Sequence, residues 1–258
     1  MKEIYSSSRE ELLKEIEKLP EFELVKIYTN KNGEYGEQEE FKAVLERGKD
    51  DQALAVVSSE YSLVQMRDVF VQALSYIEQV AQGRVLYRNG YGQLEVFPEG
   101  SRIGVYVLNS VDRSSAIKIG FLTQENGATI YIPPEEVREY KRLHRGVPLH
   151  EMQNAGEVLL KAQEAWALIV SKLSNVPLNE ELVVEVKKAV DAGEKLSEEI
   201  DRFVNDSLDK YAGRPQTLWD LFLYVLKAVS AGNYKAELNR QKRLRRLSCT
   251  LLALCLGR

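Results

Sequence analysis

The sequence predicts an α+β fold, an antiparallel sheet packed on a helix and followed by a helical C-terminal half. Three observations carry this. Short runs with alternating or β-branched character crowd the first 132 residues, and Asn-Gly dipeptides separate two pairs of them. Pro133-Pro134 ends that region. Beyond it the apolar residues recur at helical spacing, with no return to βαβ alternation.

In chain order, Ser8 with Glu11 three residues on forms a capping box, ahead of Leu12, Leu13, Ile16 and Leu19 on one helical face, and Pro20 stops that helix. Strand-like residues follow from Phe22 to Tyr28, then an Asn32-Gly33 turn and a strand over Phe41–Leu45. Asp50-Asp51 reads as a loop and Ala53–Val57 as a buried strand. Val69, Phe70, Ala73, Leu74, Ile77 and Val80 predict a helix over Met66–Gln82, with Gly83 as its C-terminal stop.

Residues 84–97 give the clearest hairpin. A two-residue Asn89-Gly90 turn sets Arg88 opposite Tyr91, Leu86 opposite Gln93 and Arg84 opposite Glu95. Those six share one face, expected to be solvated, while Val85, Tyr87, Leu94 and Val96 take the buried one. Further strands are expected over Ile103–Leu108, Ala116–Leu122 and Thr129–Ile132. Apolar stripes then predict helices over Val158–Leu173, over Val183–Phe203 with an interruption near Gly193, and over Leu218–Leu226, before a basic final helix. A soft boundary near residue 150 divides a sheet domain, 1–150, from a helical region, 151–258, with the two sharing one core as an alternative.

Composition narrows the chemistry. The chain has 258 residues, 44% of them hydrophobic and 29% charged, which is ordinary for a globular protein. Two cysteines, Cys249 and Cys255, exclude a disulfide scaffold, and two histidines, His144 and His150, leave little for metal or acid–base work. No P-loop, Gly-x-Gly-x-x-Gly turn or Gly-x-Ser-x-Gly elbow occurs. The charged N-terminus lacks an apolar signal core, and the apolar run Leu247–Leu256 is too short to span a bilayer. A cytoplasmic protein with no cofactor and no membrane association is expected.

Net charge is −4, but residues 101–150 carry 7 basic and 5 acidic side chains, and residues 201–258 carry 11 and 5. Arg138, Lys141, Arg142 and Arg145 fall at i, i+3, i+4 and i+7, so a helix there would align all four. Lys235, Arg240, Lys242, Arg243, Arg245 and Arg246 form a denser group on the final helix. Such cations neutralise phosphates in any sequence, and Arg88 with Tyr91 would add a guanidinium and a ring for base stacking. The expected nucleic-acid contacts are therefore Arg138, Lys141, Arg142, Arg145, Arg88, Tyr91, Arg243 and Arg246, and no residue is expected to be catalytic.

Leu54–Phe70 (strand, Tyr61, Val64-Gln65, Phe70), Tyr106–Ala116 with its Asn109-Ser-Val-Asp112 strand end, Arg142-Leu-His-Arg145, and Thr217-Leu-Trp-Asp220 occur in an order that resembles the phage/plasmid-like protein family, a domain of unknown function. The likeness covers roughly residues 50–256. Val111 stands where that family often has His, and no Cys lies within Phe121–Ile132, where one is usual. The family's strand–helix pattern is similar to that of phage single-strand-annealing recombinases such as Red-beta and its relatives. The resemblance implies a single-stranded DNA binding and annealing protein of a mobile element that assembles into oligomers. Two alternatives stand beside it. One is a protein-interaction or regulatory protein using the acidic N-terminal half, residues 34–40 in particular. The other is a metal-dependent nuclease built on Asp112 and nearby carboxylates.

Overall fold

The computed structural model describes residues 2–6, 8–31, 34–49, 53–112, 117–125, 128–132, 140–142, 155–191, 217–231, 241, 244–248 and 251–252. The turns at Asn32-Gly33 and Asp50-Asp51, the Pro133-Pro134 stop, Gly193 and both cysteines and histidines lie outside the described residues. The fold is α+β, as expected from the strand runs and helical stripes. The chain divides into two compact units that interleave in sequence: residues 1–119 with 139–157, and residues 120–138 with 158–258. Residues 120–138 thus group with the helical part, on the far side of the boundary expected near residue 150.

In the first unit, strand β1 (Lys2–Ser6), unforeseen in the sequence, pairs antiparallel with β5 (Val80–Arg88). Helix α1 (Arg9–Glu17) opens where Ser8 Oγ accepts the Glu11 N–H at 3.2 Å, and it buries Leu12 and Ile16. Next come β2 (Phe22–Lys31), β3 (Glu34–Glu46) and β4 (Ala55–Ser58), which form a separate three-stranded sheet in the order β2-β3-β4. Both arms of its hairpin run past the lengths expected, and β3 carries extra residues opposite Ile27.

Helix α2 (Met66–Ser75) is shorter than its apolar spacing suggests, because Ile77 and Val80 belong to the approach to β5 and to β5 itself. Gly83 is accordingly a strand residue and no helix stop. A Cβ there would lie 2.5 Å from Leu12 Cδ2, so its bareness lets α1 seat on the sheet. Gly92, directly opposite Tyr87, does the same for Met66 of α2.

The larger sheet runs β1-β5-β6-β7-β8-β10, where β6 is Tyr91–Pro98, β7 Ile103–Ser110, β8 Ile117–Glu125 and β10 Tyr140–Arg142. Strand β9 (Ala128–Ile132) pairs with β8 from Phe121↔Ile132 to Glu125↔Ala128. The β5–β6 register is the expected one: Arg84↔Glu95, Leu86↔Gln93 and Arg88↔Tyr91. Its burial is not. Leu86, Gln93, Glu95, Tyr91 and, on β7, Tyr106 and Leu108 are all buried, so the face expected to be wet is interior. The polar members survive there by meeting one another. Arg84 donates to Glu95 Oε2 from Nε at 3.1 Å and from Nη2 at 2.5 Å, and Gln93 Nε2 donates to Glu95 Oε1 at 2.5 Å.

The second unit holds α3 (Ala155–Ser174), α4 (Glu180–Asp191) and α5 (Leu218–Ala231). Asn179 Oδ1 caps α4 through the Leu182 N–H at 2.9 Å. Trp166, Trp219 and Phe222 build an aromatic cluster, the first pair edge-on at 5.6 Å between centroids and the second stacked at 5.4 Å. Tyr131 of β9 donates its hydroxyl to Gln241 Oε1 at 2.6 Å. A single bridge joins Pro177 to Thr217, reinforced by the Leu218 N–H donating to Val176 O at 2.9 Å.

Removing one charge of the Arg84–Glu95 pair leaves the other buried and alone. Arg84→Met is expected to destabilise the protein by about 3–5 kcal/mol, and Arg84→Met with Glu95→Gln by less than the single change, measured by urea unfolding.

Candidate nucleic-acid interface

The Asn89-Gly90 turn places the first of the expected contacts. Asn89 (φ 47°) and Gly90 (φ 75°) both adopt the left-handed conformation of a type I′ turn, which Asn and Gly tolerate. Arg88, just before the turn, is exposed. Tyr91, just after it, is 4% exposed and offers no ring face to a base. The expected stacking role therefore falls. At the turn itself, the Val111 N–H donates to Gly90 O at 2.8 Å, and Val111 Cγ2 and Leu54 Cδ1 lie 2.8 and 3.3 Å from where a Gly90 Cβ would be. The segment after β7 roofs the hairpin tip.

The same roof brings two of the sequence motifs together. Tyr61 donates its hydroxyl to Val111 O at 3.2 Å, and Asn109 Nδ2 donates to Val64 O at 3.2 Å. Val111 belongs to one apolar cluster with Phe22, Val44, Val57 and Tyr61, against which Tyr87 packs. Asn109 Oδ1 is buried with no hydrogen-bond partner among the described residues. Asp112 is half-buried, 3.9 Å (Cβ) from where a Gly90 Cβ would stand, and is engaged in a polar or electrostatic interaction. The motif residues thus organise a tip and a core, a structural task. Thr217 and Asp220 do likewise at the start of α5. Asp220 Oδ2 accepts from the Thr217 N–H (2.9 Å) and hydroxyl (2.8 Å), and the Asp220 N–H donates back to Thr217 Oγ1.

The basic stretch takes a different form from the one its spacing suggested. Tyr140–Arg142 is a strand, β10, so the helical alignment does not hold for Lys141 and Arg142. Backbone pairing with β8 competes successfully with the i, i+3, i+4 pattern, which was built from charges and not from an apolar stripe. The register sets Lys141 directly opposite Lys118, and Arg142 opposite Ile117. Lys118 was not singled out in the sequence; only the strand register reveals it. Arg138, Arg145 and Arg243 lie outside the described residues, and Arg246 is exposed on the helical segment 244–248. Among the described residues, no group of three or more His, Cys, Asp or Glu is placed to hold a metal, and no helix is long and apolar enough to cross a membrane. Comparison with protein-family profiles, with curated proteins and with solved structures finds no match.

Beneath the tip, Tyr87 reaches Glu46 Oε2 with its hydroxyl at 3.3 Å and accepts the Gly90 N–H at 3.3 Å. Burial, aided by the nearby Glu46 charge, pushes its phenol up to about 12, with the Gly90 bond working against this. A phenol raised in the folded state adds stability below the ordinary tyrosine range, and that stability fades as pH rises towards 12. Ultraviolet titration of the folded protein is expected to show one tyrosine ionising near 12 that is missing in Tyr87→Phe. Unfolding free energy should fall less between pH 10 and 12 in that variant.

Proposed function

We propose that this chain is a non-enzymatic nucleic-acid-binding protein that binds and anneals single-stranded DNA, the role implied by its resemblance to the phage/plasmid-like family. One observation carries the reading. Strand β10 sets Lys141 across from Lys118, with Arg142 next in the chain. Cations brought to adjacent positions of a ladder can neutralise phosphates of any sequence. Exposed Arg88 and Arg246 are further cations free of burial, whereas Arg84 is committed to Glu95 and takes no part. Contacts of this kind read the phosphate backbone and not the sequence, which suits an annealing protein. Subunit assembly would extend a short basic edge into a longer track.

The interaction-protein alternative also draws on an observation. Four large apolar side chains of the three-stranded sheet are unusually open: Tyr35 is 76% exposed, Val56 59%, Tyr28 58% and Phe41 45%. That surface is acidic and would repel DNA, so it belongs to a second function and not to the nucleic-acid site.

The test is fluorescence polarisation with a labelled oligothymidylate. Binding is expected at about 50 mM salt with steep weakening by about 200 mM. Lys118→Glu with Lys141→Glu should lower affinity at least tenfold and flatten the log–log salt slope by about 1.4, the contribution of two phosphate contacts on a single strand. No binding at the lower salt, or an affinity and slope unmoved by the double change, refutes the proposal.

A further inference from the structure

Strand β2 is an outer strand of its sheet, and its free edge has a defined polarity. The Phe22 N–H donates to Gln65 Oε1 at 3.1 Å, while Gln65 Nε2 donates to Phe22 O at 2.8 Å. Both main-chain groups of Phe22 therefore turn away from β3, so Phe22↔Glu46 is a pair of the non-hydrogen-bonded kind. Alternation turns the N–H and C=O of Leu24 and Lys26 outward as well. The far end agrees. Lys31↔Glu34 closes a two-residue connection, which requires a hydrogen-bonded pair, and puts Tyr28 in the outward set. The bulge adds residues to β3 alone, leaving the alternation of β2 intact. Among the described residues, nothing meets the outward backbone of Leu24, Lys26 or Tyr28.

Gln65 acts here as a substitute for one peptide unit of a neighbouring strand. It fills the first rung at Phe22 and goes no further. The rungs beyond are an open template of the sort that a partner strand completes.

The charge around that template selects its occupant. Four cations of this sheet and its flanks are already engaged: Lys26 with Glu37 at 3.0 Å, Arg47 with Glu21 at 2.7 Å, Lys49 with Glu46 at 2.8 Å, and Lys42 with Ser59 O at 3.3 Å. Glu39 and Glu40 are exposed, with no cation against them among the described residues. Beside them, Tyr28 and Tyr35 stand on one face of the ribbon, since Tyr28 pairs with Glu37 and Asn30 with Tyr35. We infer that the β2 edge is a docking site for an extended, basic segment of a partner protein, which adds to the sheet as a fourth strand next to Leu24–Tyr28. Main-chain hydrogen bonds would hold it, and the carboxylates would choose lysine- or arginine-rich sequences. This inference is independent of the nucleic-acid reading, for it uses a different sheet and the opposite charge.

The experiment uses the full chain and a fluorescein-labelled ten-residue peptide of alternating lysine and valine. Two control peptides carry glutamate for lysine, or N-methyl groups on alternate amides. The lysine peptide is expected to bind at least tenfold more tightly than either, and to slow hydrogen exchange at the Leu24, Lys26 and Tyr28 amides. From the main chain, Lys26→Pro removes only an outward N–H, and it is compatible with an edge strand. It should cost tenfold or more in affinity, although it frees Glu37 and would strengthen attraction by charge alone. Glu39→Lys with Glu40→Lys should also weaken binding tenfold. Equal binding of the N-methylated peptide overturns the strand-addition proposal whether or not Lys26→Pro folds. So does undiminished binding to Lys26→Pro, and a dimer of the native chain that Lys26→Pro dissociates would make the occupant a second copy.

Discussion

The type I′ turn at Asn89 and Gly90 fixes the register of β5 against β6, and the rest of the first unit is arranged around that register. A slip of one residue would exchange the two faces of the hairpin. Gly83 and Gly92 would no longer face Leu12 and Met66, and both helices would lose their seats. Arg84, Gln93 and Glu95 would leave one another for the apolar ground under α1 and α2. The buried ion pair therefore works with the turn: it makes the alternative register far more costly than packing alone would.

The arrangement at the tip shows how weak sequence motifs acquire a physical reason. Tyr61, Val64, Asn109 and Val111 come from two segments far apart in the chain, and they close over one turn through two side-chain hydrogen bonds and an apolar cluster. Val111 serves here by shape, being fully buried. Among the described residues Asn109 keeps a buried acceptor without a partner, as does Ser248, exceptions in an interior whose other polar groups are largely satisfied.

Most of the fold was legible where a residue type has little choice. Asn-Gly gave the central hairpin to the residue, Ser8 gave the start of α1, and the apolar stripes gave α3 and α5. The misreadings share a cause, since tertiary pairing overrode local periodicity. Ile77 and Val80 continue the stripe of α2, yet Val80 pairs with Pro98; Lys2–Ser6 has no strong strand signal, yet it finds β5. The candidate site was the least legible part. Charges on a surface carry no period of their own, so the sequence could not tell a strand at Tyr140–Arg142 from a helix, nor bring Lys118 into the set. Nor could it tell that Tyr91 is buried, because a position beside a turn carries no local sign of what packs over it.

The bridge between Pro177 and Thr217 pins together two points forty residues apart in the second unit. Once those ends are held, the entropy of closing the intervening chain depends only logarithmically on its length, with a doubling adding about 0.6 kcal/mol. The clasp thus uncouples the packing of α5 from the size of the excursion that precedes it. A change in the number of residues between those two points would thus bear little on Trp219 and Phe222, which keep their places in the aromatic cluster.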